Sequence, residues 1–220
     1  MILGINTSQN THELALIDRD KILNERAWQD EKDNETRLAA LIKEMLEESG
    51  IDKKEITDIV VISGPASFAA LRTGVAFANT FASALSANLH HMDTFELLKR
   101  KAALNEPTLT ILNAGGHDIG VRSYEDNKAS EIKVAAMADL LAEFPHDAYK
   151  VISEVTDVQS SQLTSICLEK NWQEIQGHEL QTLAEMLVTF GLEGLEKTDM
   201  VEEKYLKDPK ITKSKNKWKN

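Results

Sequence analysis

Cysteine is nearly absent. Cys167 is the only one in 220 residues, which excludes an internal disulfide and fits a reducing compartment. Positive charge is also short: 25 Lys and Arg stand against 36 Asp and Glu, a net of -11. A surface built mainly to grip a nucleic acid backbone is therefore not expected. No apolar run approaches the roughly 18 residues of a membrane span, and the longest weakly charged stretch is broken by Arg72, Asn79, Thr80 and Ser83. The opening "MILGINTS" has no basic region or long apolar core, so no secretory signal is expected. Together these predict a cytoplasmic chain with no membrane contact.

Catalytic signatures are missing as well. The segment "VVISGPASFAALRTGVAFANTFASALS" (60–86) passes from a β-branched strand through Gly64 and Pro65 into a long run whose one charge is Arg72. A nucleophile elbow needs a serine between two glycines, but Ser67 follows Gly64 by three and Ala69 stands where the second glycine belongs. A phosphate loop of the Walker type needs Lys-Ser or Lys-Thr after its last glycine, and none is present. The histidines are His12, His90, His91, His117, His146 and His178. No two are four apart, so no helical metal pair forms. No resident metal or cofactor is expected.

What is present is an α/β pattern. "MILGINTS", "ELALIDRD" and "KILNERAW" read as three strands. Leu38, Leu41, Ile42, Met45 and Leu46 then recur at helical spacing, with Lys43, Glu44, Glu47 and Glu48 facing out. Asp33 or Asn34 can cap that helix, and Gly50 ends it. "ITDIVVISG" is a buried strand and 67–86 a second helix. Residues 87–105 read as a link. "TLTILNAGG", "DIGVRSYEDN" and "SEIKVAA" form a second set of strands, followed by a helix in "AAMADLLAEF", a strand in "AYKVISEV" and a late amphipathic helix in "ELQTLAEMLVTFGLEGLEK". The expected division is a first lobe at 1–98 and a smaller second lobe at 99–200, with the late helix able to pack back on the first. Residues 201–220 carry seven lysines against Glu202, Glu203 and Asp208, and read as a basic, extended tail.

The second lobe echoes the first. Each begins with an apolar strand ending in a polar loop, "INTS" at 5–8 and "LNAGG" at 112–116. Two-lobed phosphotransferases close on a nucleotide in this way, with a loop carboxylate holding Mg²⁺ through water. Here Asn6 and Asn113 occupy those places, and an amide brings no charge to offset a metal. Thr7, Ser8, Gly115 and Gly116 remain candidate hydrogen-bond donors to a phosphate, against the plainer reading of two strand-ending turns.

"ILGINTSQNTHELALID", "VVISGPASFAALRTGVAFANTFASAL" and "KYLKDPK" resemble the TsaB (YeaZ) family, well over residues 1–98 and in outline beyond. The central motif of that family stands here as Gly64, Pro65, Ala66, Ser67, Phe68, Ala69, Ala70, Leu71 and Arg72. Asn6 replaces the usual Asp, Ala66 and Ala70 replace glycines, and "LNAGGHDIG" stands where Asp-Ala-Arg is common. The resemblance implies a two-lobed fold of the actin, hexokinase and sugar-kinase type. It also implies a non-catalytic chain that binds TsaD, the transferase that makes threonylcarbamoyladenosine in tRNA. A small ATPase, TsaE, joins that complex, tRNA is met only through it, and a homodimer is possible. "HHMDTFELL" at 90–98 is similar to the metal helix of TsaD, with His91 at the first ligand and Phe95 replacing the second. A small phosphotransferase and a metallopeptidase are the alternatives.

The second helix carries the remaining clue. At about 100° per residue, Phe68, Leu71, Val75, Ala78 and Ala82 fall in one half-circle with Phe77 and Phe81. Ala69, Arg72, Thr73, Ala76, Thr80 and Ser83 fall in the other. An exposed face in so acidic a chain should carry charge as the first helix does. This one is small and nearly uncharged, which suits helix-to-helix approach across an interface. Cover by another part of the same chain is the competing reading.

Overall fold

The computed structural model describes residues 1–29, 34–126, 128–144 and 148–207. The first sheet begins with β1 (Ile2–Asn6), β2 (Thr11–Asp18) and β3 (Lys21–Gln29), an antiparallel meander. After α1 (Asn34–Ser49) come β4 (Asp58–Ile62), α2 (Phe68–Leu85), β5 (Asn88–Met92) and α3 (Thr94–Ala102). β4 lies parallel to both β1 and β5. Strands buried on both faces read as continuous apolar runs, which is why "ILGIN" and "DIVVI" carry no polar alternation. Leu3, Ile5, Ile59 and Val61 meet α1 and α2 on one face. Ala15, Ile17, Val60 and Ile62 point the other way, onto Leu183, Ala184, Met186 and Leu187 of α6 (Leu183–Phe190). Each fully buried Leu, Ile or Val contributes about 1.5–3 kcal/mol.

The second sheet repeats the plan. β6 (Thr108–Asn113) pairs antiparallel with β7 (Asp118–Glu125) and parallel with β10 (Lys150–Glu154). This is the relation β1 has to β2 and β4. The short strands β8 (Lys128–Ala129), β9 (Lys133–Ala136) and β11 (Gln173–Glu174) extend it, and α4 (Leu140–Glu143) and α5 (Asp157–Lys170) cover one face. The other face offers Leu112 and Ile152 to Phe95 and Leu98 of α3. α3 therefore packs into both lobes, since its Leu97 lies in the first-lobe cluster. The chain ends its described course through β12 (Glu196–Thr198), which pairs antiparallel with β5 at the edge of the first sheet.

Several elements differ from the sequence expectation. Residues 87–105 are not a link but β5 and α3, and 98 falls inside that helix. Asp93 caps α3, its carboxylate accepting from Glu96 N at 2.9 Å. α5 was not expected, because "DVQSSQLTSICLEK" buries only Gln159, Leu163 and Cys167, too sparse a stripe to read as amphipathic. The helix expected in 135–144 shrinks to a 3₁₀ turn and α4, since Ala135 and Ala136 are held in β9. The late helix spans eight residues and stops at Gly191, whose φ is +57°. Asp33 as a cap and residues 208–220 of the basic tail lie outside the described residues. Residues 201–207 pack on the body: Val201 is buried in the first-lobe core, and Lys204 N donates to Ser63 O at 2.7 Å. No helix among the described residues is long and apolar enough to cross a membrane.

Candidate functional site: an interlobe cleft and an uncharged helix face

A cleft of about 930 Å³ opens where the two strand-ending loops face each other. Ser8, Gln9 and Asn10 line it from the first lobe, Asn113 to Asp118 and Glu154 from the second, and Tyr205 to Lys207 from the chain's last described turn. Of the four candidate phosphate donors, Ser8, Gly115 and Gly116 lie on its wall. Thr7 does not. It is buried under α2, where a Cβ on Gly74 would lie 2.1 Å from Thr7 Oγ1, so only glycine permits that approach.

Both loops satisfy an amide within themselves, the first buried and the second exposed. Asn6 is fully buried, and its Oδ1 accepts from Ser8 N at 3.0 Å and Ser8 Oγ at 2.8 Å. Its Nδ2 donates to Gln9 Oε1 and Glu13 Oε2, both at 2.9 Å. In the second loop Asn113 Oδ1 accepts from Gly115 N at 2.9 Å. Each amide thus closes a turn two residues on, occupying donors that the sequence nominates for a phosphate. Glu13 also accepts from Lys101 Nζ at 2.8 Å and from Leu183 N at 2.9 Å, so a buried ion pair fastens β2, α3 and the start of α6 beneath the loop.

The cleft wall is acidic. Asp118, Glu154 and Asp157 face Lys207, which pairs with Asp118. Burial raises the pKa of the Glu154 carboxyl, against the Asn10 N–H, Gln9 and Lys101 that oppose the rise. Its Oε1 accepts from Asn10 N, tying the first lobe to the second, while Oε2 has no hydrogen-bond partner among the described residues. An acidic wall with self-satisfied loops is poorly suited to a polyphosphate.

The segment 90–98, similar in sequence to a metal helix, is not one helix here. His90 and His91 lie on β5, on opposite faces of the strand, and the helix starts only at Thr94. His90 Nε2 reaches Asp58 Oδ1 at 3.0 Å. His91 lies 3.4 Å from Glu196, and burial outweighs that carboxylate to lower its pKa. Phe95 is fully buried between the lobes, in a place shaped for a ring and not a ligand. Among the described residues no group of three or more His, Cys, Asp or Glu could hold a metal ion.

α2 gathers the six candidate interface residues on one side. Ala69, Arg72, Ala76, Thr80 and Ser83 are exposed and Thr73 is half-buried, so no other described element covers them. The opposite side buries Ala70, Leu71, Gly74, Val75, Ala78 and Ala82. Thr73 Oγ1 donates to Ala69 O at 3.1 Å and Thr80 Oγ1 to Ala76 O at 2.8 Å. With both threonine hydroxyls folded back on the helix, Arg72 and Ser83 are the polar side chains of this face that a partner would have to satisfy. At its leading end Phe68 stacks on Tyr205, with ring centroids 4.3 Å apart, and the Arg72 guanidinium lies 5.7 Å from the Phe68 centroid. Glu154, Tyr205, Leu206, Lys207 and the Glu13–Lys101 pair were missed at the level of sequence. Glu154 left a signal as a polar residue ending a strand as Asn113 does, and Tyr205, Leu206 and Lys207 left one as part of "KYLKDPK".

A family model described as "TsaD: tRNA N6-adenosine threonylcarbamoyltransferase" matches residues 29–210. A curated relative, the tRNA threonylcarbamoyladenosine biosynthesis protein TsaB of Bacillus subtilis (strain 168), is 29% identical over 97 residues, which cover 44% of this chain and 42% of that protein. The match thus spans less than half the length of the curated relative. Among solved structures, YeaZ from Pseudomonas aeruginosa superposes with a TM-score of 0.59 at 14% identity, over 77% of this chain and 92% of that one. A structure described as an N-acetylglucosamine kinase from Porphyromonas gingivalis gives 0.53 at 9% identity, over 86% and 98%. The two repeated lobes are thus the expected actin- and sugar-kinase-like fold. The chain belongs to the TsaD family, as a TsaB/YeaZ-like member of it.

Proposed function

We propose that this chain is a non-catalytic cytoplasmic subunit in the synthesis of N6-threonylcarbamoyladenosine in tRNA, and that it docks a TsaD-like transferase through the exposed half of α2. The observation that carries the reading is that face: small, nearly uncharged, with both threonine hydroxyls satisfied, on a chain whose other long helix exposes Lys43, Glu44, Glu47 and Glu48. The cleft supports the non-catalytic part, because Asn6 and Asn113 bring no charge for a metal and spend their amides on their own loops. In this reading the chain holds no cofactor, a TsaE-like ATPase joins the assembly, and tRNA is met through the complex.

The test is calorimetric binding to the cognate TsaD-like transferase. Wild type is expected to bind, and the double variant Ala76→Glu with Ser83→Glu to lose at least about 30-fold in affinity. A carboxylate desolvated without a partner at an interface costs about 2–5 kcal/mol, and each 1.4 kcal/mol is tenfold. Helix content and melting temperature should hold, since both positions are exposed. Normal binding by the double variant sinks the reading. If the wild type is instead a dimer that the variant splits, and the transferase does not bind, the face serves self-association.

A further inference from the structure

Residues 201–207 cross from one lobe to the other, fastened at Val201, Lys204, Tyr205, Leu206 and Lys207. Asn79 of α2 holds Val201 through both amide atoms, Nδ2 donating to Val201 O and Oδ1 accepting from Val201 N, each at 2.9 Å. Lys204 N donates to Ser63 O at 2.7 Å, and a Cβ on Gly64 would lie 2.5 Å from Lys204 O. Tyr205 then stacks on Phe68, the first residue of α2. Leu206 reaches the second lobe and lies on Gly120 of β7, where a Cβ would sit 2.6 Å from Leu206 Cδ1 and 3.1 Å from the Phe95 ring. Lys207 pairs with Asp118, also of the second lobe. Glycine in the middle of a strand gives up side-chain packing and is found where something approaches closely. At Gly120 that something is Leu206.

We propose that residues 204–207 are an interlobe clasp through which the second lobe sets the pose of the leading turn of α2, making Tyr205 and Leu206 positioning residues for partner docking. The contacts form an unbroken series: Gly120, Leu206, Tyr205, Phe68, Arg72. Arg72 belongs to the docking face, so a change in lobe separation that lifts Leu206 off Gly120 reaches that face through two stacked rings. The positioning role rests on α2 being the docking helix. The clasp itself does not.

Two variants separate these statements. Leu206→Ala removes the anchor, and Gly120→Val displaces it while leaving the sequence of clasp and α2 unchanged. Spin labels at Glu47→Cys on α1 and Glu131→Cys in the second lobe report lobe separation, with Cys167 buried and its thiol pushed up to about 12 by burial and then Glu174. The wild type is expected to give one narrow distance distribution. Both variants should broaden or lengthen it and weaken transferase binding at least fivefold at unchanged helix content. If Gly120→Val does not fold, Tyr205→Ala repeats the affinity measurement at a half-buried site. An unchanged distance distribution in the variants overturns the clasp, and a changed one with wild-type affinity overturns the positioning role. If the wild type binds no transferase, the docking reading fails together with the positioning role, while a shifted distance in the variants still identifies the clasp.

Discussion

Lys101→Met should cost this protein a large part of its stability, although the residue lies outside the cleft and the docking face. Lys101 Nζ lies 2.8 Å from Glu13 Oε2, with side chains 8% and 10% exposed. Taking one partner from a buried ion pair typically costs about 3–5 kcal/mol, because the other charge stays behind without its counter-ion. Glu13 keeps two donors, Asn6 Nδ2 and Leu183 N, both at 2.9 Å. Charge-assisted bonds of that kind contribute about 1.5–3 kcal/mol each, so the lower end, about 3 kcal/mol, is the expected loss. Against a total of about 5–15 kcal/mol for a domain that is a substantial fraction. It corresponds to a fall in melting temperature of roughly 6–12 °C at 2–4 °C per kcal/mol. Urea unfolding at neutral pH measures it directly. Adding Glu13→Gln should recover only a small part of the loss, since the neutral amide no longer needs the cation but its NH2 must face Asn6 Nδ2 or Leu183 N. A single Lys101→Met variant within about 0.5 kcal/mol of wild type, the scatter of ordinary surface changes, would refute the pair as the fastening of β2, α3 and α6.

Asn6→Asp tests whether the first loop is one exchange away from a metal-nucleotide site. The new carboxylate would meet Glu13 Oε2 at the present 2.9 Å separation in a fully buried place, so a loss of about 2–5 kcal/mol by urea unfolding is expected, with no calorimetric Mg-nucleotide binding gained. Retained stability together with such binding would favour the phosphotransferase alternative. Glu154→Gln tests the cleft carboxyl. Burial holds its pKa above the ordinary 4.5, so the folded state binds that proton more tightly than the unfolded one. The wild type then loses stability as pH rises above 4.5 through the folded value. The glutamine variant should melt higher than wild type at pH 7, with the difference vanishing below pH 4.5. An equal melting temperature at both pH values contradicts the assignment.

Much of the architecture was legible because it rests on local pattern. The parallel strands β1 and β4 announced themselves as continuous apolar runs, and α1 and α2 by their spacing. The six residues on the nearly uncharged side of α2 were grouped from periodicity alone, since residues three and four apart share a face wherever the helix goes. That no described element covers them is a fact of the tertiary structure, because exposure depends on what packs nearby. The same limit applies elsewhere. Thr7 and Ser8 are equivalent in a polar loop, yet only the fold buries Thr7 against Gly74 and leaves Ser8 on the cleft wall. Glu13 and Lys101 are 88 positions apart, and nothing in either neighbourhood names the other. "HHMDTFELL" reads as one segment until the sheet takes His90 and His91 into a strand and Asp93 starts a helix after them. Residues 201–207 read as tail because charge and a lack of periodicity describe solvated chain. What holds them are distant partners, Asn79, Ser63, Phe68 and Asp118, and Gly120 on a strand 86 residues before Leu206. The sequence by itself determined which segments form and which faces are apolar, through short-range sterics and periodicity. Only the tertiary structure decided which distant residues meet, because contacts that close long loops carry no local signature.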